Sequence, residues 1–238
     1  MFARKPSNQL SLPTSGNIKA VFFDLDGTLV DTAPDMVGAL QDLQKSYGVE
    51  PVPYELGRSH VSNGAVGLLT VAFPDQTITP DSSLLCEFID RYTAQVCINS
   101  VLFDGLGALL DRLDDASRVW GVVTNKPAHL TEAILEKLAL AERSVCTISG
   151  DTLTTRKPDP AQLLHACQLA GVTTDECIYV GDAERDIEAG RRAGIATVAA
   201  GYGYVVAEDD PRRWGADEFA VDPDELAQIV LKAVNLDS

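Results

Sequence analysis

The stretch AVFFDLDGT, residues 20–28, sets a buried strand against two carboxylates. Ala20, Val21, Phe22 and Phe23 form the continuous apolar run expected of a strand covered on both faces. Asp24 and Asp26 follow at once, one residue apart, and then Gly27. Like charges at that spacing repel unless a cation or a difference in protonation relieves them. The stretch therefore reads as a central strand whose end opens into a polar site.

From about Arg118 onward, short apolar runs alternate with helical patterns. VWGVVT (119–124), SVCTIS (144–149), CIYVG (177–181) and IATVAA (195–200) are the predicted strands. Between them, Leu130, Ile134, Leu135 and Leu138 share one helical face, a second helix begins at Pro160 and a third covers 187–193. GYGYVVAEDDPRRWGAD (201–217) reads as a surface loop leading to a short strand, and Leu226, Ile229, Val230 and Val234 mark a last helix. Such alternation predicts an α/β fold with a parallel sheet covered on both faces. Residues 34–102 break the rhythm. Met36, Val37, Leu40, Leu43 and Tyr47 make one helical stripe, and Leu84, Leu85, Phe88, Ile89, Tyr92 and Val96 make another. RSHVSNGAVGLL (58–69) reads as a turn followed by a helix, and no strand is expected in the region. The predicted organisation is a flexible leader over 1–17, a core domain from 18–33 and 103–238, and a small all-helical cap domain over 34–102.

Nineteen basic residues against thirty-five acidic ones give a net charge of −16, which disfavours nucleic acid as a partner. An anionic substrate must then find its positive charge locally. The five cysteines are scattered, with no CxxC pair, and fit a reduced, cytoplasmic setting. The N-terminus is polar with two prolines and lacks a signal-peptide core, and no run is long and apolar enough to span a membrane.

In open parallel sheets, ligands bind beyond the carboxyl ends of the strands where the strand order reverses. Asp24, Thr124 and Asp182 each end a predicted strand and should share that rim. There is no His/Cys cluster and no HExxH, and oxygen-only ligands favour Mg²⁺, with Asp24 and Asp182 as ligands. Lys157, in TRKPDP, is the expected counter-charge for a phosphate. Thr124 and Asn125 can donate to phosphate oxygens, and Gly27 allows neighbouring N–H groups to approach an anion. In the cap turn, His60, Ser62, Asn63 and Gly64 are candidate substrate contacts. Glu184 and Arg185 read as solvated helix-start residues.

DLDGT, VVTN, RKPDP and GDAERD, in that order, resemble the four motifs of the haloacid dehalogenase-like superfamily. The resemblance implies a Rossmann-like, doubly wound core and a phosphoryl-transfer mechanism. Asp24 would be the nucleophile that forms an aspartyl-phosphate, and Asp26 the acid/base, its main-chain carbonyl a further metal ligand. Asp182 would hold Mg²⁺, Asp186 would support the metal, and Thr124 and Lys157 would stabilise the phosphoryl group. The helical cap resembles that of phosphoglycolate phosphatases and β-phosphoglucomutases. LFDG (102–105), WGVVTNKP (120–127), LAERS (140–144) and GYGY (201–204) are similar to bacterial N-acetylmuramic acid 6-phosphate phosphatases. The cap reads SNGA where that branch usually has a glycine pair, and Ala183 stands where a second Asp is frequent.

The expectation is a Mg²⁺-dependent phosphomonoesterase acting on a small-molecule phosphate ester, as a monomer or homodimer. A phosphosugar mutase shares the chemistry. A non-catalytic binding or regulatory protein on this scaffold is the alternative from another class, although no motif residue is missing. Dehalogenation would not use Asp26, and a kinase or NTPase is unsupported without GxxxxGK[ST].

Overall fold

The strands in chain order are β1 Ala20–Phe23, β2 Val30–Asp31, β3 Val101–Leu102, β4 Val119–Val123, β5 Thr147–Ile148, β6 Cys177–Gly181, β7 Ala196–Ala200 and β8 Glu218–Ala220. The helices are α1 Ala33–Ser46, α2 Tyr54–Ser59, α3 Gly64–Ala72, α4 Ser83–Ala94, α5 Leu106–Asp115, α6 Ala128–Lys137, α7 Ala161–Ala170, α8 Glu184–Ala193 and α9 Pro223–Ala233. These come from a computed structural model that describes residues 18–207 and 209–236. The leader expected over 1–17 lies outside the described residues.

Six strands form one parallel sheet in the order β5-β4-β1-β6-β7-β8. β1 is central, with Phe23 paired to Val122 on one side and to Val180 on the other. From β1 the chain next adds β4 and β5 on one side, and from β6 it adds β7 and β8 on the other. The order thus reverses between β1 and β6, which puts the ligand crevice beyond Asp24 and Asp182.

Alternate side chains of β1, β4 and β6 feed two cores. Val21, Phe23, Val122, Ile178 and Val180 pack with Leu106, Leu110, Leu226 and Val230 of α5 and α9. Ala20, Phe22 and Tyr179 pack with Leu163, Ala166 and Ala189 of α7 and α8. Burial on both faces is what makes the strands read as unbroken apolar runs. The sheet is therefore doubly wound, as the alternation predicts.

Three details differ from the sequence reading. SVCTIS is an edge strand of only two residues, Thr147 and Ile148, although Val145 and Cys146 already bond to β4 before it. α5 precedes the point where the alternation was read to begin, with Leu106, Leu109, Leu110 and Leu113 buried. β2 and β3 form a two-residue antiparallel ribbon, too short to leave a period-2 pattern.

Helices α1 to α4 lie between the two legs of that ribbon. Met36, Val37, Leu40 and Leu43 of α1 are buried, but Tyr47, expected on the same stripe, is 52% exposed. It follows the last helical residue and its hydroxyl bonds Glu87 at the surface. In the second stripe Leu84, Leu85, Phe88, Tyr92 and Val96 are buried. The buried carboxylate of Asp35, near the start of α1, accepts from the backbone N–H groups of Ile98, Asn99 and Ser100. It thereby fastens the beginning of the helical segment to its end.

Candidate active site

Three buried carboxylates meet at the rim. Asp24, Asp182 and Asp186 each offer an oxygen within 4.8 Å of the others. Asp24 follows β1, Asp182 follows β6, and Asp186 sits in the first turn of α8, where its Oδ2 accepts from the Ala183 N–H at 3.0 Å. Burial, and then the charges of Asp24 and Asp186, push the Asp182 carboxyl up to about 7. Burial also raises Asp186, against the pull of Lys157. A cluster this short of positive charge fits a divalent cation, and its oxygen-only donors suit a hard one.

Lys157 supplies the positive charge already present. Its buried ammonium lies 3.0 Å from Asp24 Oδ1 and 2.7 Å from Asp186 Oδ1. It also donates to Val123 O at 3.0 Å and to Tyr179 Oη at 2.7 Å. A buried ammonium needs such a full set of partners. The backbone of Lys157 is clasped by Asn125, whose Nδ2 donates to Lys157 O and whose Oδ1 accepts from Lys157 N. Gln162 Oε1 accepts from the same N–H. The amide of Asn125, expected on the phosphate, thus also holds Lys157, and Asn125 lines the cavity. Thr124 follows β4, is buried, and lines the cavity beside Asp24.

Gly27 has a role beyond the one expected. Its N–H donates to Val30 O and that of Thr28 to Leu25 O, so both are committed within the turn. Its φ is +80°, and a Cβ there would meet Asp182 Oδ2 at 2.1 Å. Gly27 therefore makes room for Asp182. On the far side, the Tyr204 N–H donates to Asp182 Oδ2 at 2.8 Å.

Asp26 is engaged with Lys126. Lys126 Nζ lies 2.9 Å from Asp26 Oδ1 and 3.2 Å from Oδ2, and Thr32 Oγ1 donates to the same carboxylate. Burial opposes the lysine's charge, but the Asp26 carboxylate beside it holds its pKa above the ordinary value. Nζ stands 4.8 Å from the centre of the Tyr92 ring.

A cavity of about 450 Å³ opens from Asp24 and Asp26 towards the helices. Ser62, Asn63 and Gly64 form part of its wall, as expected. His60 is turned away, its Nδ1 set 2.9 Å from Leu56 O of its own helix. Ser62 Oγ donates to Asp182 Oδ2 at 2.7 Å, and Arg185 donates to Ser62 O at 2.5 Å. Ser62, Asn63 and Arg185 also line a second cavity of about 280 Å³ that reaches Asp182 and Trp214. They form a partition between the two spaces.

Lys126, Arg185 and Tyr179 escaped the sequence reading. Lys126 follows a strand-end threonine by two residues on the same rim, a signal that could have found it. Arg185 was read as solvated together with its exposed neighbour Glu184, yet it is half-buried and contacts the cap turn. Tyr179 alternates into the core, and only its hydroxyl, bonded to Lys157 and Val123 O, belongs to the site.

The haloacid dehalogenase-like hydrolase profile matches residues 21–200. An N-acetylmuramic acid 6-phosphate phosphatase of Pseudomonas aeruginosa is 41% identical over 218 residues, covering 91% of this chain and 96% of that protein. A phosphoglycolate phosphatase of Xanthomonas campestris pv. campestris is 43% identical over 208 residues, covering 87% and 94%. The crystal structure of a predicted phosphoglycolate phosphatase from Haemophilus somnus 129PT superposes with a TM-score of 0.79 at 26% identity, covering 90% of this chain and 97% of that one.

Proposed function

The chain belongs to the haloacid dehalogenase-like hydrolase family, and on that footing we propose that it is a Mg²⁺-dependent phosphomonoesterase acting on a small organic phosphate. The observation that carries this reading is the cluster of Asp24, Asp182 and Asp186 around Lys157 at the point where strand order reverses. Asp24, with the Asp26 carbonyl, Asp182 and Asp186, would hold Mg²⁺, which neutralises phosphoryl charge when bound.

Asp24 attacks phosphorus through the carboxylate oxygen not paired with Lys157, giving an aspartyl-phosphate. Lys157 aims Asp24 through their 3.0 Å contact, with Asn125 and Gln162 fixing the lysine's backbone. Thr124 donates to a phosphoryl oxygen. Asp26 delivers a proton to the leaving alkoxide and then takes one from the water that hydrolyses the intermediate. Thr32 and Lys126 orient it.

The cavity bears on the substrate. Its volume of about 450 Å³ and its wall of Leu85, Phe88, Ile89 and Leu130 suit a bulky, partly apolar body such as an acylated amino sugar. N-acetylmuramic acid 6-phosphate is thus preferred over phosphoglycolate, each a substrate in the name of a relative. The five free thiols are in keeping with a cytoplasmic protein. Phosphate release from a panel of esters, with and without EDTA, tests the reading. Asp24→Asn is expected to keep the fold by circular dichroism and to lose roughly 10⁴-fold or more in turnover. Substantial activity in that variant removes Asp24 as the nucleophile.

A further inference from the structure

The hydroxyl of Tyr92 is buried without a hydrogen-bond partner among the described residues, although its residue is only 2% exposed and lines the cavity. An unpaired buried hydroxyl is costly, and native structures rarely leave one without a reason. Its polar neighbour is the Lys126 ammonium, which lies over the Tyr92 ring and lines the same cavity. Phe88, Leu85 and Met36 make the surrounding wall apolar. Lys126 and the Tyr92 hydroxyl can both donate, and an ammonium cannot accept. Lys126 already holds Asp26, so the partner still lacking is an acceptor oxygen for the Tyr92 hydroxyl, and the ammonium beside that hydroxyl favours an anionic acceptor of low charge.

We propose that Tyr92 and Lys126 form a subsite for a carboxylate on the leaving group of the substrate. The Tyr92 hydroxyl donates to one carboxylate oxygen, and Lys126, shared with Asp26, binds the other. A substrate so held sets its ester oxygen close to Asp26, because Lys126 touches both. The subsite rests on the phosphatase reading and adds to it the residues that select an acidic leaving group. A second phosphate would bring about two charges to one ammonium and one hydroxyl, a poorer match.

The test compares esters that differ in one carboxylate. N-acetylmuramic acid 6-phosphate is set against N-acetylglucosamine 6-phosphate, and phosphoglycolate against ethyl phosphate. In the holoenzyme the acid should be preferred in kcat/KM by about tenfold or more within at least one pair, as expected for hydrogen bonds to a charged group. Tyr92→Phe should cut that preference by about tenfold, and Lys126→Gln should cut it as well. Tyr92→Phe removes only an oxygen that has no partner, so the fold is retained, and circular dichroism checks it. Equal kcat/KM within both pairs for the unmodified protein overturns the proposal, and so does a preference that survives in Tyr92→Phe. If no ester is hydrolysed, the phosphatase reading fails separately. Calorimetric binding of glycolate and of N-acetylmuramic acid then decides the subsite, which is overturned if Tyr92→Phe binds both as well as the unmodified protein does.

Discussion

Asp182→Asn tests whether the carboxylate cluster is a cation site. Asp182 is 1% exposed, and its carboxyl, ordinarily ionising near 3.8, is pushed up to about 7 by burial and then by Asp24 and Asp186. At about 1.4 kcal/mol per tenfold change in proton affinity, ionising it inside the folded chain costs about 4 kcal/mol. The unfolded chain releases this proton near pH 4, whereas the folded chain keeps it to about pH 7. Between those values the folded state binds more protons, so stability falls as pH rises, and above about pH 7 the loss is complete. Mg²⁺ held at the cluster would favour the ionised form and offset the loss. Asn at this position retains an acceptor for Ser62 Oγ or the Tyr204 N–H, so the local bonds need not all be lost. Urea unfolding in EDTA, from about pH 4 to about pH 8, should show the unmodified protein losing up to about 4 kcal/mol more than the variant. At the upper pH, without metal, the variant should be the more stable of the two. Saturating MgCl₂ should stabilise the unmodified protein and do little for the variant. Parallel pH slopes in EDTA, or equal stabilisation of both proteins by MgCl₂, would refute the reasoning.

Lys157→Met leaves Asp24 and Asp186 buried without their shared cation, and should destabilise the metal-free protein by about 3–5 kcal/mol in the same unfolding assay. Gly27→Ala combines a φ of +80° with a Cβ 2.1 Å from Asp182 Oδ2. It should cost about 1–2 kcal/mol for the backbone alone and weaken Mg²⁺ binding, read by titrating activity against MgCl₂. Normal Mg²⁺ affinity in that variant would show that Asp182 need not stay where Gly27 admits it.

The central strands were legible because both faces of β1, β4 and β6 are covered, which leaves unbroken apolar runs. The strand-end residues Asp24, Thr124 and Asp182 followed from the rule for parallel sheets. Partnerships between distant residues were not legible. Asn125 and Lys126 are neighbours in one loop, yet one holds Lys157 and the other pairs with Asp26. Nothing in a single chain of letters states which side each faces. His60 and Ser62 lie in one turn, and only the local helical bonding of His60 turns its ring from the cavity. Gly27 was legible as a point of close approach, but that the Asp182 carboxylate comes up to it was not.

The two-residue ribbon of β2 and β3 has a consequence for how this architecture can change. Val30 pairs with Leu102, so the chain leaves the sheet and returns to it at adjacent points. Tyr204 bonds Asp31 and the Ala33 N–H on the outgoing leg, and Tyr202 packs against Phe103 on the returning one. Whatever lies between those legs enters the loop-closure cost only through the logarithm of its length. The segment that walls the cavity can therefore be lengthened, shortened or exchanged while the register of β1, and with it the aim of Asp24, stays as it is. Much of the cavity wall is thus carried on a stretch that joins the rest of the chain at a seam two residues wide, while Lys126, Leu130 and Arg185 complete it from the other side.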